Sequence, residues 1–444
     1  MYHAFFAVVG IFFRLFSGFH LLLAYLCGHD MRILHLNTSE SAGGAAIAAR
    51  RLVAALNRHG VEARMMVAAS PVADATTLVA GSAMRRRWAF LAERLTVFAA
   101  NGFSREGLWQ VDVANAGVDV TATEAFRRAD VIHLHWVNQG YLSLSVLARI
   151  IGSGKRVVWT MHDMWPFTGV CHYARTCQLF RTHCHDCPSL RRPAPRDLAC
   201  RVFDRKAEAY ARGHVTFVGC SQWLAGEARS SRLAEGHDVV SIPNTYPAGH
   251  FHPGSRREAR RRLGLPDTAA PMLLFACQKV TDPRKGMHLL VEALRSLPAV
   301  AQDLHVMVAG DLAESVADAI PFPVHPLGYV RGDAAMSDVY RAADAFVTPS
   351  LEDNLPNTIM EAMACGTPCV GFRVGGIPEM IIHGRNGYVA GCGDVPDLAR
   401  GIGYVLDADN RERLSAEAAA SAVERWSEER VATQYINVYS NGIG

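Results

Sequence analysis

The chain has 444 residues, 50% of them hydrophobic and 20% charged, and its formal net charge is +3. This length exceeds what one ordinary hydrophobic core supports, so we expect two or three domains. The near-balanced charge disfavours a nucleic-acid-binding protein, which would need a stronger basic bias, and the composition disfavours a long disordered tract.

The first thirty residues contain one long apolar run, AFFAVVGIFFRLFSGFHLLLAYLC at 4–27. It is long enough to span a bilayer. Arg14 would cost roughly 2.5–3.5 kcal/mol near the centre, and the many apolar residues offset this at roughly 0.3–0.6 kcal/mol each. A signal peptide fits less well, because no small-residue cleavage site follows. Two interpretations stay open: residues 1–30 are a membrane anchor, or they are a misannotated start upstream of Met31.

Short apolar segments alternate with helical stretches between residues 31 and 240. Expected strands lie at 32–37, 62–68, 130–136, 156–163 and 215–221, and a glycine loop and amphipathic helix fill 41–60. This alternation predicts a parallel sheet with helices on both faces. The stretch RRRWAFLAERL at 85–95 is basic and amphipathic. It favours a helix with a solvated face, and the alternative is a patch that binds anionic lipid.

The segment 239–255 is rich in Pro, Gly and His and is interpreted as an interdomain connection. The alternation then restarts, with a helix at 286–297 and expected strands at 271–277, 304–310, 324–330, 345–350 and 368–372. We therefore expect two doubly wound α/β domains, at 31–240 and 241–415. The tail 416–444 carries a helical pattern and is expected to cross back to the first domain.

Two carboxylates, Asp353 and Glu361, are eight residues apart in LEDNLPNTIMEAMACGTP at 351–368. The preceding strand delivers this loop to the carboxyl edge of the sheet, where open α/β sheets bind ligands. We expect a helix at 357–364 with Asp353 or Asn354 as its cap and Pro356 in its first turn. Its amino end would hold an anion or sugar hydroxyls. The two acids then serve as separate hydroxyl-binding groups and not as an acid pair.

This segment resembles the E-x7-E motif of retaining nucleotide-sugar glycosyltransferases of glycosyltransferase family 4. The resemblance implies the GT-B fold, in which two Rossmann-like domains face each other across a cleft. It also implies that Glu361 holds the nucleotide ribose and that Asp353, which replaces the usual Glu, holds the sugar. The donor-binding neighbours implied in the same segment are Asn354, Leu355, Asn357 and Thr358.

Further motifs match the same family. SAGGAA resembles its glycine-rich loop, with Gly43 and Gly44 approaching a phosphate. DPRKG resembles the segment whose lysine binds the donor diphosphate, which points to Lys285, with Lys279 or Arg284 as its basic partner. The remaining matches are Glu379, as a carboxyl cap or ligand contact, and His162, which resembles the histidine facing the donor sugar.

The motif HDMWPFTG, at 162–169, resembles the motif of one branch of this family. Members of that branch act in bacterial exopolysaccharide assembly and include colanic-acid-type enzymes. The resemblance implies a hexosyltransferase-type enzyme with a nucleotide diphosphate sugar donor, a lipid-linked saccharide acceptor and no divalent metal at the diphosphate. Its expected place is the cytoplasmic side of the bacterial membrane, peripheral or anchored. Two rival functions are a GT-B-fold nucleotide-sugar epimerase and a non-catalytic membrane-associated scaffold.

A cysteine-rich loop at 171–187 carries the spacing C-x5-C-x6-C-x2-C, formed by Cys171, Cys177, Cys184 and Cys187. Four thiolates can hold a closed tetrahedral zinc that does no chemistry. The interval has few aliphatic residues, so we expect a metal to supply its order. Free or partly paired thiols are the alternative.

Overall fold

The computed structural model describes residues 31–69, 76–105, 107–297 and 303–440. The apolar segment at 4–27 lies outside the described residues. Two parallel β-sheets, each covered by helices, form two Rossmann-like domains. Within the described ranges, no helix combines the length and the apolarity needed to cross a membrane.

The first sheet has seven parallel strands in the order β3-β2-β1-β4-β5-β6-β7. Its central strand β1 pairs with β2 on one side and with β4 on the other. The bounds are β1 Arg32–Ser39, β2 Glu62–Ala69, β3 Thr77–Val79, β4 Val131–Leu134, β5 Arg156–Met161, β6 Val215–Gly219 and β7 Asp238–Ser241.

The helices around this sheet begin at residues that favour a helix start. Ser82, Ser143, Asp197 and Ser221 each accept a hydrogen bond from a backbone N–H of the first turn that follows. The bounds are α1 Gly44–Arg58, α2 Ala83–Ala100, α3 Glu124–Arg128, α4 Leu144–Ile151, α5 Leu198–Tyr210 and α6 Gln222–Arg229.

The second sheet has six parallel strands in the order β10-β9-β8-β11-β12-β13. Its strands are β8 Met272–Lys279, β9 His305–Asp311, β10 Val324–Gly328, β11 Ala345–Thr348, β12 Cys369–Phe372 and β13 Gly387–Ala390. Its helices are α7 Arg256–Arg262, α8 Met287–Arg295, α9 Asp333–Ala342, α10 Asn357–Ala364, α11 Ile377–Met380, α12 Val395–Leu406 and α13 Ala408–Trp426.

The carboxyl edges of the two sheets meet. Gly44, which follows β1, and Ser221, which follows β6, contact Asn357 and Asn354, which follow β11. The prediction of two doubly wound domains facing across a cleft is therefore confirmed. The last helix, α14 Glu428–Ser440, packs against α1 of the first domain.

Two local expectations were wrong. Asp238–Ser241 pairs with β6 as an edge strand, so the connection between the sheets starts after it and not at 239. This strand is half-buried and short, and its apolar signal is too weak to separate it from the loop that follows. The helix α10 is preceded by Pro356 and receives no side-chain cap, because Asp353 and Asn354 bond elsewhere.

Candidate active site

Lys285 and Asp353 form an ion pair at the carboxyl edge of the second sheet. Lys285 Nζ donates to Asp353 Oδ2 at 2.6 Å. Burial acts to lower the pKa of Lys285, but the charge and hydrogen bond of Asp353 outweigh it and place the pKa above its ordinary value. The lysine is therefore a fixed positive charge at this edge.

The turn that carries Lys285 lies directly against the loop of Asp353. The amide of Leu351 donates to the Arg284 carbonyl at 2.8 Å. Gly286 ends the turn with φ 72, and a Cβ there would lie 1.9 Å from the Pro349 carbonyl oxygen. Only glycine permits this approach. The close contact places a basic turn beside the acidic loop.

The two candidate basic partners of Lys285 differ in position. Arg284 donates through Nη2 to Asp282 Oδ2 at 2.7 Å, and this bond raises its pKa. It lies within reach of the charge of Glu352 in the Asp353 loop. Lys279 is exposed at the end of β8. The geometry therefore favours Arg284 over Lys279 as the basic partner of Lys285.

Glu361 is buried, and its two carboxylate oxygens take different partners. Arg51, from α1 of the first domain, donates through Nη1 to Oε1 at 2.7 Å, and the Tyr340 hydroxyl donates to Oε2 at 2.8 Å. Arg51 also donates to Asp333 at 3.0 Å. Burial acts to lower the pKa of Arg51, but Glu361 and Asp333 raise it above its ordinary value. Sequence reasoning missed Arg51, since a helix arginine usually faces solvent.

The glycine loop of the first domain faces the amino end of α10. Asn357 Nδ2 donates to the Gly44 carbonyl at 3.1 Å, and Asn357 Oδ1 accepts from Asn244 Nδ2 at 2.9 Å. Gly43 has φ 89, and a Cβ there would meet no atom within 4 Å. Space therefore opens in front of this loop. Thr358, one residue into the helix, is half-buried.

His162 directly follows β5 and is joined to the loop of the second domain. Its carbonyl accepts from Asn354 Nδ2 at 3.3 Å, and Asn354 Oδ1 accepts from the Ser221 hydroxyl at 2.6 Å. Leu355 follows, buried. Burial lowers the pKa of His162 to about 4, so its imidazole is neutral. The loop that carries Asp353 is thus fastened to the first domain.

A chain of buried histidines extends from His162 into the first sheet. His162 Nε2 lies 3.2 Å from His135 Nδ1, and His135 Nε2 lies 2.9 Å from His35 Nδ1. The ligand atoms of His35, His133 and His135 all lie within 4.8 Å of one another. Sequence reasoning missed this cluster. The alternation HLH at 133–135, on a strand beside that of His35, is the signal that could have indicated it.

A second buried group surrounds His172, at the start of the cysteine-rich loop. His172 lies 2.6 Å from Asp163 and 2.8 Å from Asp112. Burial acts to lower the pKa of His172, but the two carboxylates raise it to about 10. Three residues later, Arg175 donates to Glu352 Oε1 at 2.6 Å, beside Asp353. The cysteine-rich loop therefore reaches the loop of the second domain.

Glu379 lies across the domain boundary from the helix it caps. Its carboxylate accepts from the Gln222 amide at 2.8 Å and from the Trp223 amide at 2.7 Å, in the first turn of α6. The pairing of a carboxylate with free amides at a helix start is favourable. The structure thus gives Glu379 a capping contact, made to the first domain.

The expectation that the cysteine-rich loop lacks apolar packing was wrong. Phe180 within the loop, and Val170 and Leu190 just outside its two ends, are buried in the core of the first domain. The buried ring of Phe180 provides apolar surface in place of the aliphatic side chains that the loop lacks. The four cysteines line one cavity.

Comparison with known proteins agrees with this geometry. Residues 270–408 match the family model described as "Glycosyl transferases group 1". Sucrose-phosphate synthase from Thermosynechococcus elongatus superposes with a TM-score of 0.65 at 19% identity, covering 93% of this chain and 98% of that one. The fold is GT-B. Anabaena HepE in complex with UDP-glucose shares this GT-B fold, with a TM-score of 0.61 at 18% identity over 93% of this chain and 100% of that one.

Curated relatives of this GT-B chain are named as glycosyltransferases. D-inositol 3-phosphate glycosyltransferase 2 of Catenulispora acidiphila is 32% identical over 210 residues, 44% of this chain and 48% of that protein. The chain thus spans about half the length of the first curated relatives it matches. The D-inositol 3-phosphate glycosyltransferase of Mycolicibacterium smegmatis is 26% identical over 421 residues, 90% of this chain and 87% of that protein.

Proposed function

We propose that this chain is a retaining glycosyltransferase that uses a nucleotide diphosphate sugar. The observation that carries the proposal is the arrangement around α10: Lys285 paired with Asp353 at one side, and buried Glu361 one turn into the helix. This arrangement lies within the segment that matches the glycosyltransferase model. Anabaena HepE, with the same fold, was solved with UDP and with UDP-glucose, which supports a nucleotide-sugar donor.

The donor diphosphate would lie between Lys285 and the amino end of α10. Free backbone N–H groups of a helix start attract anions. Lys285 and Arg284 offset the negative charge that develops on the leaving diphosphate, an electrostatic role that usually dominates such transfers. The open space before Gly43 lets the first-domain loop approach the phosphate. Two fixed cations then replace a divalent metal at this position.

Glu361 can hold the ribose without giving up its present partners. An ionised carboxylate offers about four lone-pair sites. Arg51 and Tyr340 use one site on each oxygen and hold the carboxylate in one orientation. The remaining sites can accept two ribose hydroxyl groups. Arg51 and Tyr340 therefore act as positioning residues for Glu361.

The sugar would contact Asp353, the backbone at Asn354 and Leu355, and neutral His162. His135 Nδ1 lies 3.2 Å from His162 Nε2 and Cys220 Sγ lies 3.6 Å from His162 Nδ1, so both ring nitrogens have neighbours that fix the orientation of the ring. Retention follows from the resemblance of 351–368 to the E-x7-E motif. The acceptor hydroxyl attacks from the side of the leaving phosphate, and that phosphate takes its proton. No carboxylate nucleophile is then required, unlike in paired-acid glycoside hydrolysis.

A saccharide acceptor on a lipid is supported by an exposed apolar stripe on α2. Met84, Trp88, Leu91 and Leu95 are 71%, 66%, 40% and 62% exposed and share one face at helical spacing. Arg85 and Arg87 flank the stripe, both exposed. Tryptophan beside cations suits the interface of an anionic bilayer. We infer that this face of the first domain lies on the cytoplasmic membrane, where the lipid-linked acceptor is held.

The motif HDMWPFTG supports a place in bacterial exopolysaccharide assembly of the colanic-acid type, on the cytoplasmic side of the membrane. The relatives named above act on inositol phosphate, and a further relative from Bacillus anthracis is named N-acetyl-alpha-D-glucosaminyl L-malate synthase. The common chemistry is a sugar transferred to a hydroxyl group. A lipid-linked saccharide offers the same group.

The proposed function is tested by incubating the chain with a panel of nucleotide diphosphate sugars and a lipid extract. We expect release of the nucleoside diphosphate and a sugar joined to lipid with its anomeric configuration kept. Lys285→Ala should reduce the rate by about a hundredfold or more, as for loss of one electrostatic contact in a transition state. Arg400→Ala, an exposed arginine on α12, is the matched control and should keep the rate.

Equal rates for Lys285→Ala and the parent chain would reject this site assignment. An altered nucleotide sugar formed without any acceptor would indicate the epimerase instead. Donor binding with neither reaction would indicate the non-catalytic scaffold.

A further inference from the structure

The four cysteines of the loop at 171–187 lie around one place in the folded chain, although fifteen residues separate the first from the last. All four line one cavity of about 10 Å³. Cys171, Cys184 and Cys187 are buried, and Cys177 is half-buried. A cavity of this size has room for about one water-sized sphere, and so for a single ion.

Backbone amides point at two of the sulfur atoms. The Gly169 amide donates to Cys184 Sγ at 3.3 Å, and the Ser189 amide donates to Cys187. The amide of Cys187 in turn donates to Asp197 Oδ2 at 2.7 Å. Hydrogen bonds of this kind orient ligands and stabilise negative charge on them. The closing C-x2-C turn is therefore shaped as a pair of metal-ligand positions.

A buried lysine lies beside the same thiols. Lys206 is fully buried, and its ammonium group donates to the carbonyls of Trp165 and Thr168. Thr168, whose carbonyl accepts one of these bonds, lines the cavity of the four cysteines. A buried charge requires compensation. A divalent metal with four thiolates carries two net negative charges, which Lys206 would partly neutralise.

We propose that Cys171, Cys177, Cys184 and Cys187 bind one zinc ion as a four-thiolate structural site. Sulfur ligands in a tetrahedral set favour zinc, and four of them leave no open position for chemistry. Zn–S distances of about 2.3 Å correspond to sulfur–sulfur distances of about 3.8 Å. Among the described residues, the sets whose ligand atoms all lie within 4.8 Å include no three of these cysteines. Binding therefore draws the sulfur atoms inward around the cavity.

The site would brace the segment that reaches the donor loop. Cys171 directly precedes His172, which bonds Asp163 and Asp112. Cys177 follows Arg175, which donates to Glu352 beside Asp353. A metal holding both cysteines fixes the two ends of this segment. This consequence for transfer rests on the proposed function, whereas metal binding itself does not.

A neighbouring set of residues provides the control. His183, Cys200 and Asp204 also have ligand atoms within 4.8 Å, but His183 is half-buried, Asp204 is exposed, and the two already bond each other at 2.7 Å. Cys200 does not line the cavity of the four cysteines. Cys200→Ser therefore removes a nearby thiol without touching the proposed ligands.

The test is metal analysis of the full chain purified without chelators or a histidine tag. We expect one zinc per chain, and X-ray absorption of that zinc should show four sulfur neighbours at about 2.3 Å. Cys184→Ser and Cys187→Ser should each lose most of the zinc, and Cys200→Ser should keep it. If the serine variants fail to fold, X-ray absorption of the parent protein still decides.

Three results would overturn the proposal. The first is zinc near zero with all four thiols titratable in the folded protein. The second is a mass that shows disulfides among the four. The third is zinc with one sulfur neighbour beside nitrogen and oxygen, lost in Cys200→Ser. None of these three results depends on a measurement of sugar transfer. Failure of the metal site and failure of the proposed glycosyltransferase activity are therefore distinguishable.

Discussion

At the scale of single residues, the charges of the candidate site are held in partnerships. Lys285 pairs with Asp353, Arg51 with Glu361 and Asp333, and Glu379 with two backbone amides. A buried charge without a partner costs several kcal/mol. These pairs therefore hold the side chains in fixed positions before a ligand arrives, which reduces the reorganisation needed during transfer.

The Arg51–Glu361 pair should affect stability as well as donor binding. Both side chains are less than one tenth exposed. Removal of one partner leaves a buried charge, so Arg51→Leu or Glu361→Leu should each destabilise the chain by about 3–5 kcal/mol. The double variant should be more stable than either single one, because the only charge then left without its partner is Asp333, whose side chain is 23% exposed. Urea unfolding measures the free energies.

The matched control for this cycle is the exposed pair Arg257–Asp267. Replacement of Arg257 by Leu should leave the unfolding midpoint unchanged. If either single variant of Arg51 or Glu361 unfolds at the parent midpoint, the buried pair does not stabilise the domain contact.

At the scale of elements, the solvent-facing side of α2 differs in composition from that of the other helices of the first domain. Its polar cap at Ser82 and its buried Ala89 and Val97 are those of an ordinary surface helix. The opposite face carries the apolar stripe of Met84, Trp88, Leu91 and Leu95. A contiguous exposed apolar surface marks an interaction site more often than a solvated face.

We expect α2 to bind vesicles that contain anionic lipid. Arg85→Gln/Arg87→Gln should weaken binding about thirtyfold, since each cation near the surface contributes about 1 kcal/mol. Trp88→Ser should weaken binding to anionic vesicles at every salt concentration, whereas the arginine effect should shrink at high salt. Vesicle sedimentation of the chain starting at Met31 measures both without the segment at 4–27.

Arg261→Gln/Arg400→Gln, two exposed arginines of the second domain, is the control with the same charge change. If this control weakens binding as much as the α2 variant, net charge and not α2 drives the association.

At the scale of the whole molecule, the carboxyl-terminal helices connect the two domains. α13 packs against α10, and α14 packs against α1. The Tyr439 hydroxyl lies 2.6 Å from His133, and the Tyr435 hydroxyl lies 2.8 Å from Thr160. Thr245 donates to the Trp426 carbonyl at 2.8 Å, close to where α13 ends. The relative position of the two sheets therefore depends on this tail.

Tyr439→Phe removes only a hydroxyl but leaves a buried nitrogen of His133 without its partner. We expect a loss of about 1–3 kcal/mol in the free energy of unfolding. Tyr329→Phe, at an exposed tyrosine, should have no effect. Equal unfolding curves for Tyr439→Phe and the parent chain would show that this bond does not hold the tail.

The local pattern of apolar and turn-forming residues was sufficient to predict much of the fold. Short apolar runs between glycine and proline predicted most strands, and α10 begins and ends at the predicted residues, 357 and 364. These features depend on residues close in sequence, because strand and helix periods and the glycine after α10 act locally. The edge strand β7 was not predicted, because its burial comes from a partner strand and not from its own composition.

Motifs in the sequence determined which residues to examine: Lys285, Asp353, Glu361, His162 and the four cysteines. Only the tertiary structure decided their partners. Arg51 meets Glu361 across 310 residues, and Asn354 meets His162 across 192. Such contacts leave no periodic signal, because they arise where the carboxyl edges of two separate sheets meet. Residue types and local elements follow from short-range sequence, whereas the pairing of charges follows from how the two domains pack.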